Sequence, residues 1–212
     1  MNAASPLRFL ITAGPTREFI DPVRFISNRS SGKMGYALAE AALAVSPNVV
    51  LVSGPTALTP PTGVKFVSVT TAQEMAEAVF ARFERSDVVI MAAAVCDFRP
   101  KASAKSKIKK QSFGGKLELV PTTDILTELS KRRRTQLLVG FAAETDDVEQ
   151  NATEKLKRKR LNLIVANAVV AFEAETNRVT LIDATGRKEP LPEMSKRDVA
   201  VAIIERVLKL AR

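Results

Sequence analysis

The 212-residue chain has no histidine, no tryptophan, one tyrosine and one cysteine, Cys96. Each scarcity excludes a kind of chemistry. Without histidine there is no Ser-His-type triad, no histidine metal site and no ordinary base near neutral pH. A single cysteine allows no internal disulfide, which favours a cytoplasmic protein. Apolar runs such as "DVVIMAAAV" stop well short of a membrane span, and "MNAASPLRFLITAG" lacks the basic flank and long apolar core of a signal peptide. The first turn has no G-x-G-x-x-G. "SSGKMG" has Gly-Lys but lacks the first glycine and the Ser/Thr of a Walker A loop. Any chemistry therefore rests on carboxylates, lysines, arginines, amides, backbone groups or a bound cation.

What is present suits one sizeable domain over residues 1–212, with 46% hydrophobic residues. The net charge is +9, and its distribution says more than its sum. Residues 1–98 balance at eight basic and eight acidic side chains, and 135–212 nearly balance at thirteen and twelve. Residues 99–134 carry eleven basic against three acidic. A local excess of this kind suits a polyanion such as a nucleotide polyphosphate or nucleic acid, and also a merely solvated surface.

Strand and helix signals alternate. Strands are expected at 7–14, 48–54, 64–69, 87–95, 136–144 and 161–169. Helices are expected from Gly32 to Ala44, from a capping box at Thr71 and Glu74, over "DILTELSKRR", over "DVEQNATEKLKRKR", and from Ser195, with Asp198 spaced as another capping box. "KLELVP" reads as a short strand, "PTREFIDPVRFISNRSS" as a long connection, and "RVTLID" with "ATGR" as a hairpin. The alternation predicts a Rossmann-like, doubly wound, mostly parallel α/β sheet with a C-terminal hairpin, and ligands at the C-terminal strand ends. Those ends, "ITAGPT", "VSGPT", "AAAVCDF", "GFAAET" and "IVAN", all finish in small or polar residues.

Several positions could carry chemistry. Asn28, Ser30, Ser31 and Gly32 precede a helix, with Arg24 and Lys33 nearby; an anion pocket and a capped loop both fit. Asn28 suits an amide donor to a carbonyl or oxyanion, or a turn residue in the left-handed region. Asp97 could hold a ribose hydroxyl or a cation, or cap a loop. Lys107, Lys109 and Lys110 could neutralise a triphosphate, while their alternation with Ile108 also fits a charged edge strand. Lys155 and Lys159 share a helix face, as a phosphate clamp or as ordinary surface. Phe141 could cover a base or simply pack in the core. Cys96 reads as small filler. No set of metal ligands is legible.

The segments "ITAGPTREFIDPVRFISNRSSGKMG", "AAAVCDFRP", "KIKK", "GFAAET" and "LIVAN", in this order, resemble phosphopantothenate–cysteine ligase, an enzyme family of coenzyme A biosynthesis. The resemblance implies that phosphopantothenate's carboxylate attacks the α-phosphate of CTP, with Mg²⁺, to give an acyl-cytidylate and pyrophosphate. The amine of L-cysteine then displaces CMP. It assigns Asn28 to the acyl intermediate, Lys107 to catalysis, and Arg24, Ser30, Ser31, Gly32 and Ala93 to the substrate. Met91, Ala92, Ala93, Asp97, Lys107, Thr122, Thr123, Asp124, Ile125, Phe141, Lys155 and Lys159 match nucleotide-binding positions. It also implies a homodimer with shared active sites, no nucleic acid and no membrane, and a possible separate decarboxylase partner, the chain being a free-standing ligase or an excised domain. Cys96 stands where the family usually has alanine, Thr123 where proline is common, and Asn162 where aspartate is frequent.

Two rival classes remain. An NAD(P)-dependent oxidoreductase is disfavoured by the missing glycine fingerprint, and Tyr36 has Glu40, not lysine, four residues on. A nucleic-acid-binding module using residues 99–134 would have few stacking side chains beyond the ten phenylalanines.

Overall fold

The computed structural model describes residues 5–112, 114–144, 146–168 and 176–211. Phe113 of the basic segment, Thr145 of "GFAAET", Val169 at the end of the expected 161–169 strand and residues 1–4 lie outside the described residues.

Five parallel crossovers build the sheet. β1 (Phe9–Ala13) is followed by a small hairpin of β2 (Arg17–Phe19) and β3 (Phe25–Ser27), then by α1 (Lys33–Leu43). β4 (Val49–Ser53) and β5 (Lys65–Ser68) lead into α2 (Ala72–Phe83) and β6 (Val88–Met91). A second hairpin, β7 (Phe98–Pro100) with β8 (Leu119–Pro121), precedes α3 (Ile125–Arg132) and β9 (Leu137–Glu144). Next come α4 (Val148–Arg158) and β10 (Leu163–Ala168), then β11 (Thr176–Asn177), β12 (Val179–Asp183), β13 (Lys188–Pro190), β14 (Met194–Ser195) and α5 (Lys196–Leu210). The central sheet has eight strands in the order β13-β12-β10-β9-β6-β1-β4-β5. It is parallel except at β12 and β13, the expected C-terminal hairpin.

Both faces of the sheet are covered, so its central strands are apolar without alternation. Every residue of β1 and β6 is buried. Phe9, Ile11, Ala13, Ile90 and Val165 face α1 and α5. Leu10, Val89, Leu138 and Ile164 face α2, α3 and α4. α1 lies so close to β1 that a Cβ on Gly35 would stand 2.4 Å from the Cβ of Ala13. Thr71 and Glu74 form the expected capping box on α2.

Four local expectations need correction. The connection after β1 contains the β2–β3 hairpin, because Asp21 accepts hydrogen bonds from the Val23 and Arg24 N–H groups and closes a tight turn. The strand expected over 87–95 ends at Met91. Beyond it Ala93 N–H donates to Thr12 Oγ1 (3.1 Å) and Ala94 N–H to the Gly14 carbonyl (2.9 Å), drawing the chain across the end of β1. Residues 107–109 form no edge strand; their backbone is anchored on Asp21 and Arg24 instead. Ser195 caps α5 by accepting from Asp198 N–H, but its hydroxyl donates to the Asp198 carboxylate (2.6 Å), so the reciprocal half of the box is replaced.

Candidate active site

The C-terminal ends of β6, β9 and β10 open onto two adjoining cavities, of about 710 and 340 Å³. Ala93, Val95, Asp97, Phe141 and Lys155 line both, so the two share a wall. Topology explains the location: loops leave the sheet in opposite directions here, and a crevice opens where they part.

The smaller cavity is built around the start of α1. Its N-cap, Gly32, has φ 78°, a left-handed conformation that suits glycine, and no side chain caps the helix. Ser30 Oγ accepts from Gly32 N–H at 3.3 Å and Ser31 Oγ lies 3.5 Å from Lys33 N. The two serine hydroxyls thus meet the N–H groups of Gly32 and Lys33 at the start of the helix, the end of a helix that attracts anions. Both readings of this loop, an anion pocket and a capped loop, are compatible with these contacts. Asn28 is not in the left-handed region, which removes the turn-residue reading. Its Nδ2 donates to the carbonyls of Val95 (3.0 Å) and Ala94 (3.3 Å), tying the end of β3 to the shared wall.

The larger cavity is built from α4 and the loop before α3. Thr122 Oγ1 donates to the Cys96 carbonyl (2.5 Å) and Thr122 N–H to that of Asp97 (2.9 Å), so the "PTTDI" loop is stitched to the segment after β6. Met91, Asp97, Thr122, Thr123, Asp124, Ile125, Phe141, Lys155 and Lys159 all line it. Lys155 Nζ donates to the Phe141 carbonyl (2.8 Å). Lys159 is buried, pairs with Asp124 and donates to Thr127 Oγ1 (2.6 Å). Burial pushes the Lys159 ammonium below the usual lysine range, and the charge of Asp97 opposes that shift. A buried ammonium beside an open cavity favours a negatively charged ligand.

The residues that the resemblance assigns to the site line one or both cavities except Arg24 and Lys107, and Lys109 and Lys110 of the same basic segment line neither. The Arg24 guanidinium donates to Asp21 and to the Ile108 carbonyl (2.9 Å), while Ile108 N–H donates to Asp21 (3.1 Å). Arg24 holds Asp21, which is also buried, well below the usual carboxylate range. Arg24 and Asp21 thus grip one peptide of the lysine-rich segment, and Lys107 beside it is exposed. Cys96 is buried, its Sγ near the Thr16 carbonyl, and burial pushes its thiol up, as filler requires. Asn162 receives Arg133 and the Leu138 N–H, a structural role away from the cavities.

The sequence reading missed Asn167, Asn177 and Lys196 in the smaller cavity and Asn151, Glu154 and Arg158 in the larger. Asn167 carried a signal, as the polar end of "LIVAN". Arg158 lies one turn beyond Glu154 on α4. Asn177 and Lys196 carried none, because β11 and β14 bring them to the site only through a pairing distant in sequence. Among the described residues no group of three or more cysteine, aspartate or glutamate side chains could hold a metal, and no helix is long and apolar enough to cross a membrane.

An open, mostly parallel sheet with two adjoining cavities at its switch point defines a doubly wound α/β domain. More particularly, the chain belongs to the family described as the DNA/pantothenate metabolism flavoprotein C-terminal domain, whose model matches residues 5–210. It is 51% identical over 208 residues to the coenzyme A biosynthesis bifunctional protein CoaBC of Bacillus subtilis (strain 168), covering 96% of this chain and 51% of that protein. It is 47% identical over 209 residues to a cysteine/cysteine sulfinic acid decarboxylase of an unknown prokaryotic organism, covering 96% and 58%. The crystal structure of the C-terminal domain of a CoaBC protein matches with a TM-score of 0.86 at 47% identity, over 99% of this chain and 98% of that one. The chain spans about half the length of the curated relatives it matches.

Proposed function

We propose that the chain is a phosphopantothenate–cysteine ligase that uses CTP, acting in the cytoplasm in coenzyme A biosynthesis. The observation that carries this reading is the shared wall. Two anion-attracting cavities that meet at Ala93, Asp97 and Phe141 suit a reaction in which a phosphorylated acid must touch a nucleotide's α-phosphate.

The acid's phosphate sits at the start of α1, against the N–H groups beyond Gly32 with Ser30 and Ser31 beside them, so its carboxylate points to the wall. CTP occupies the larger cavity. Its base lies by Phe141 and the "PTTDI" loop, and its phosphates by Lys155 and Lys159. The carboxylate oxygen attacks the α-phosphorus, and the bridging P–O bond breaks with its electron pair leaving on pyrophosphate. The amine of L-cysteine then attacks the acyl carbon; the bond to the cytidylate oxygen breaks, CMP leaves and the amine proton is lost to solvent. Neither step needs a histidine. Each needs charge neutralisation and alignment, which cationic side chains and helix N–H groups supply. The acyl carbonyl would compete with the carbonyls of Ala94 and Val95 for the N–H donors of the Asn28 amide. Mg²⁺ fits this site as a passenger on the triphosphate, with Asp97 as the nearby carboxylate, and would neutralise charge on the departing pyrophosphate.

A homodimer completes the reading. Phe19, Phe25, Phe98 and Leu119 are exposed on the two small hairpins, 39 to 55% each, an apolar face suited to a second copy. Arg24 and Lys107, beside that face and outside the cavities of their own chain, would then serve the partner's site. A decarboxylase, fused or separate, would consume the product. The test is pyrophosphate release from phosphopantothenate with each of the four nucleotides, with and without cysteine, on protein whose mass is measured by sedimentation. CTP should far exceed ATP, and the protein should sediment as a dimer. No acid-dependent release with any nucleotide would sink the ligase reading, and a monomer that turns over fully would sink the shared sites.

A further inference from the structure

Asp21 is fully buried, lines neither cavity, and takes five donors on its carboxylate. Its two oxygens do different things. Oδ1 accepts from the N–H groups of Val23 and Arg24, at 2.9 Å each, and so closes the β2–β3 turn. Oδ2 accepts from the Arg24 guanidinium through Nε (3.0 Å) and Nη2, and from the Ile108 N–H (3.1 Å). An asparagine carbonyl would close the same turn. At the second position, however, asparagine would set an NH2 group against three donors. The hairpin alone therefore does not call for a carboxylate. Arg24 and Ile108 do.

Those two residues tie down the lysine-rich segment. Arg24 Nη2 donates to the Ile108 carbonyl (2.9 Å), so Ile108 is held at both its N–H and its C=O. Four residues earlier, the Ala104 N–H donates to the Ile20 carbonyl (2.9 Å), a second tie to the same hairpin. Between and beyond these ties Lys105, Lys107, Lys109 and Lys110 are exposed, and residues 101–117 contain no acidic side chain. Residues 107–109 belong to no strand or helix, so no ladder opposes the mutual repulsion of these charges. The bonds to Asp21 and Arg24 do so instead. Because a peptide unit is planar, fixing the Ile108 N–H also fixes the Cα of Lys107 across the bond. We propose that Asp21 is a positioning residue for Lys107: its Oδ2 gathers Arg24 and the Ile108 N–H into one cluster and so sets where the Lys107 ammonium meets the nucleotide's phosphates. This role rests on the ligase reading and on its shared sites.

Asp21→Asn keeps the acceptor for the turn and reverses the polarity at Oδ2, so it should release Ile108 and leave the hairpin in place. Trypsin acting on the ligand-free full chain reads this without turnover. Cleavage after Lys107 and Lys109 should quicken about tenfold, the weight of one lost charge-assisted bond, while cleavage after Arg206 in α5 should not change. In pyrophosphate release from CTP and phosphopantothenate, kcat should fall on the order of a hundredfold, as for a displaced catalytic group. KM for CTP should move far less, because the charge that Lys107 meets grows as pyrophosphate departs. The decisive comparison is a double substitution. In a Lys107→Ala background, Asp21→Asn should cost less than about twofold, because it acts through a side chain already gone. A further hundredfold loss there would make Asp21 merely structural and overturn the proposal. Should Asp21→Asn fail to fold, Ile108→Pro removes only the N–H that Oδ2 accepts, from an exposed segment, and should lower kcat by a similar factor. Full turnover in that variant would equally overturn the proposal. A wild-type chain that releases no pyrophosphate with any nucleotide would overturn the ligase reading and this role together. Normal wild-type turnover with unchanged cleavage after Lys107 and Lys109 in Asp21→Asn would remove the role of Asp21 alone.

Discussion

Around the start of α1 the smaller cavity is lined by Ser30, Ser31, Gly32 and Gly35 together with Arg29 and Lys33, whereas beyond Phe141 the larger one is lined by Lys155, Arg158 and Lys159 and by the loop before α3. The difference follows from what each wall is made of. A helix N-terminus attracts an anion through N–H groups fixed by the fold, so its demand is on shape: a left-handed Gly32, and a Gly35 that lets α1 sit on β1. A lysine clamp attracts through mobile, hydrated charge, so its demand is on burial and partners. Lys159 meets that demand with Asp124 and Thr127. Substitutions in the first cavity should therefore act through geometry, and substitutions in the second through charge.

The largest expected effect tests the geometric side. Gly35→Ala drives a methyl group to 2.4 Å from Ala13 Cβ, with β1 behind it unable to retreat. Overpacking of this kind costs on the order of 3 kcal/mol, read as a lower urea midpoint. An unchanged midpoint would mean that α1 has room to lift and that the close approach is not required. Next comes Asn28→Ala, at the seam between the two regions. Loss of its amide should slow amide formation about a hundredfold while affecting pyrophosphate release less. Equal slowing of both half-reactions would assign Asn28 to holding the Ala94–Val95 carbonyls instead. The smallest effect belongs to the charged side. Lys159→Met should raise KM for CTP about tenfold, the weight of one charge-assisted hydrogen bond (~1.4 kcal/mol), and leave KM for the acid unmoved. A matching rise in both would show that the two cavities do not act separately.

Much of this was legible from residues alone. Apolar runs without alternation, such as "FLITA" and "VVIM", announced a sheet covered on both faces, and the small or polar ends "AAAVCDF", "GFAAET" and "IVAN" announced where cavities would open. The lysines of α4 were legible as a pair on one helix face. The hairpin inside residues 15–31 was not, because three-residue strands carry no periodicity and its turn depends on how the Asp21 carboxylate is used. The early end of β6 was equally hidden. "AAAV" is as apolar as the strand before it, and only bonds to Thr12 and Gly14 turn it aside.

The chain by itself determined the class of fold and the end of the sheet at which its cavities open. Periodicity and composition are local properties, and local physics reads them. Only the tertiary structure decided that Arg24 and Lys107 lie apart from the cavities, bound through Asp21 and Ile108, and that Asn177 and Lys196 lie within one. Those outcomes depend on contacts between segments distant in sequence, and such contacts leave no periodic mark because each is satisfied by a single pairing rather than by a repeated pattern.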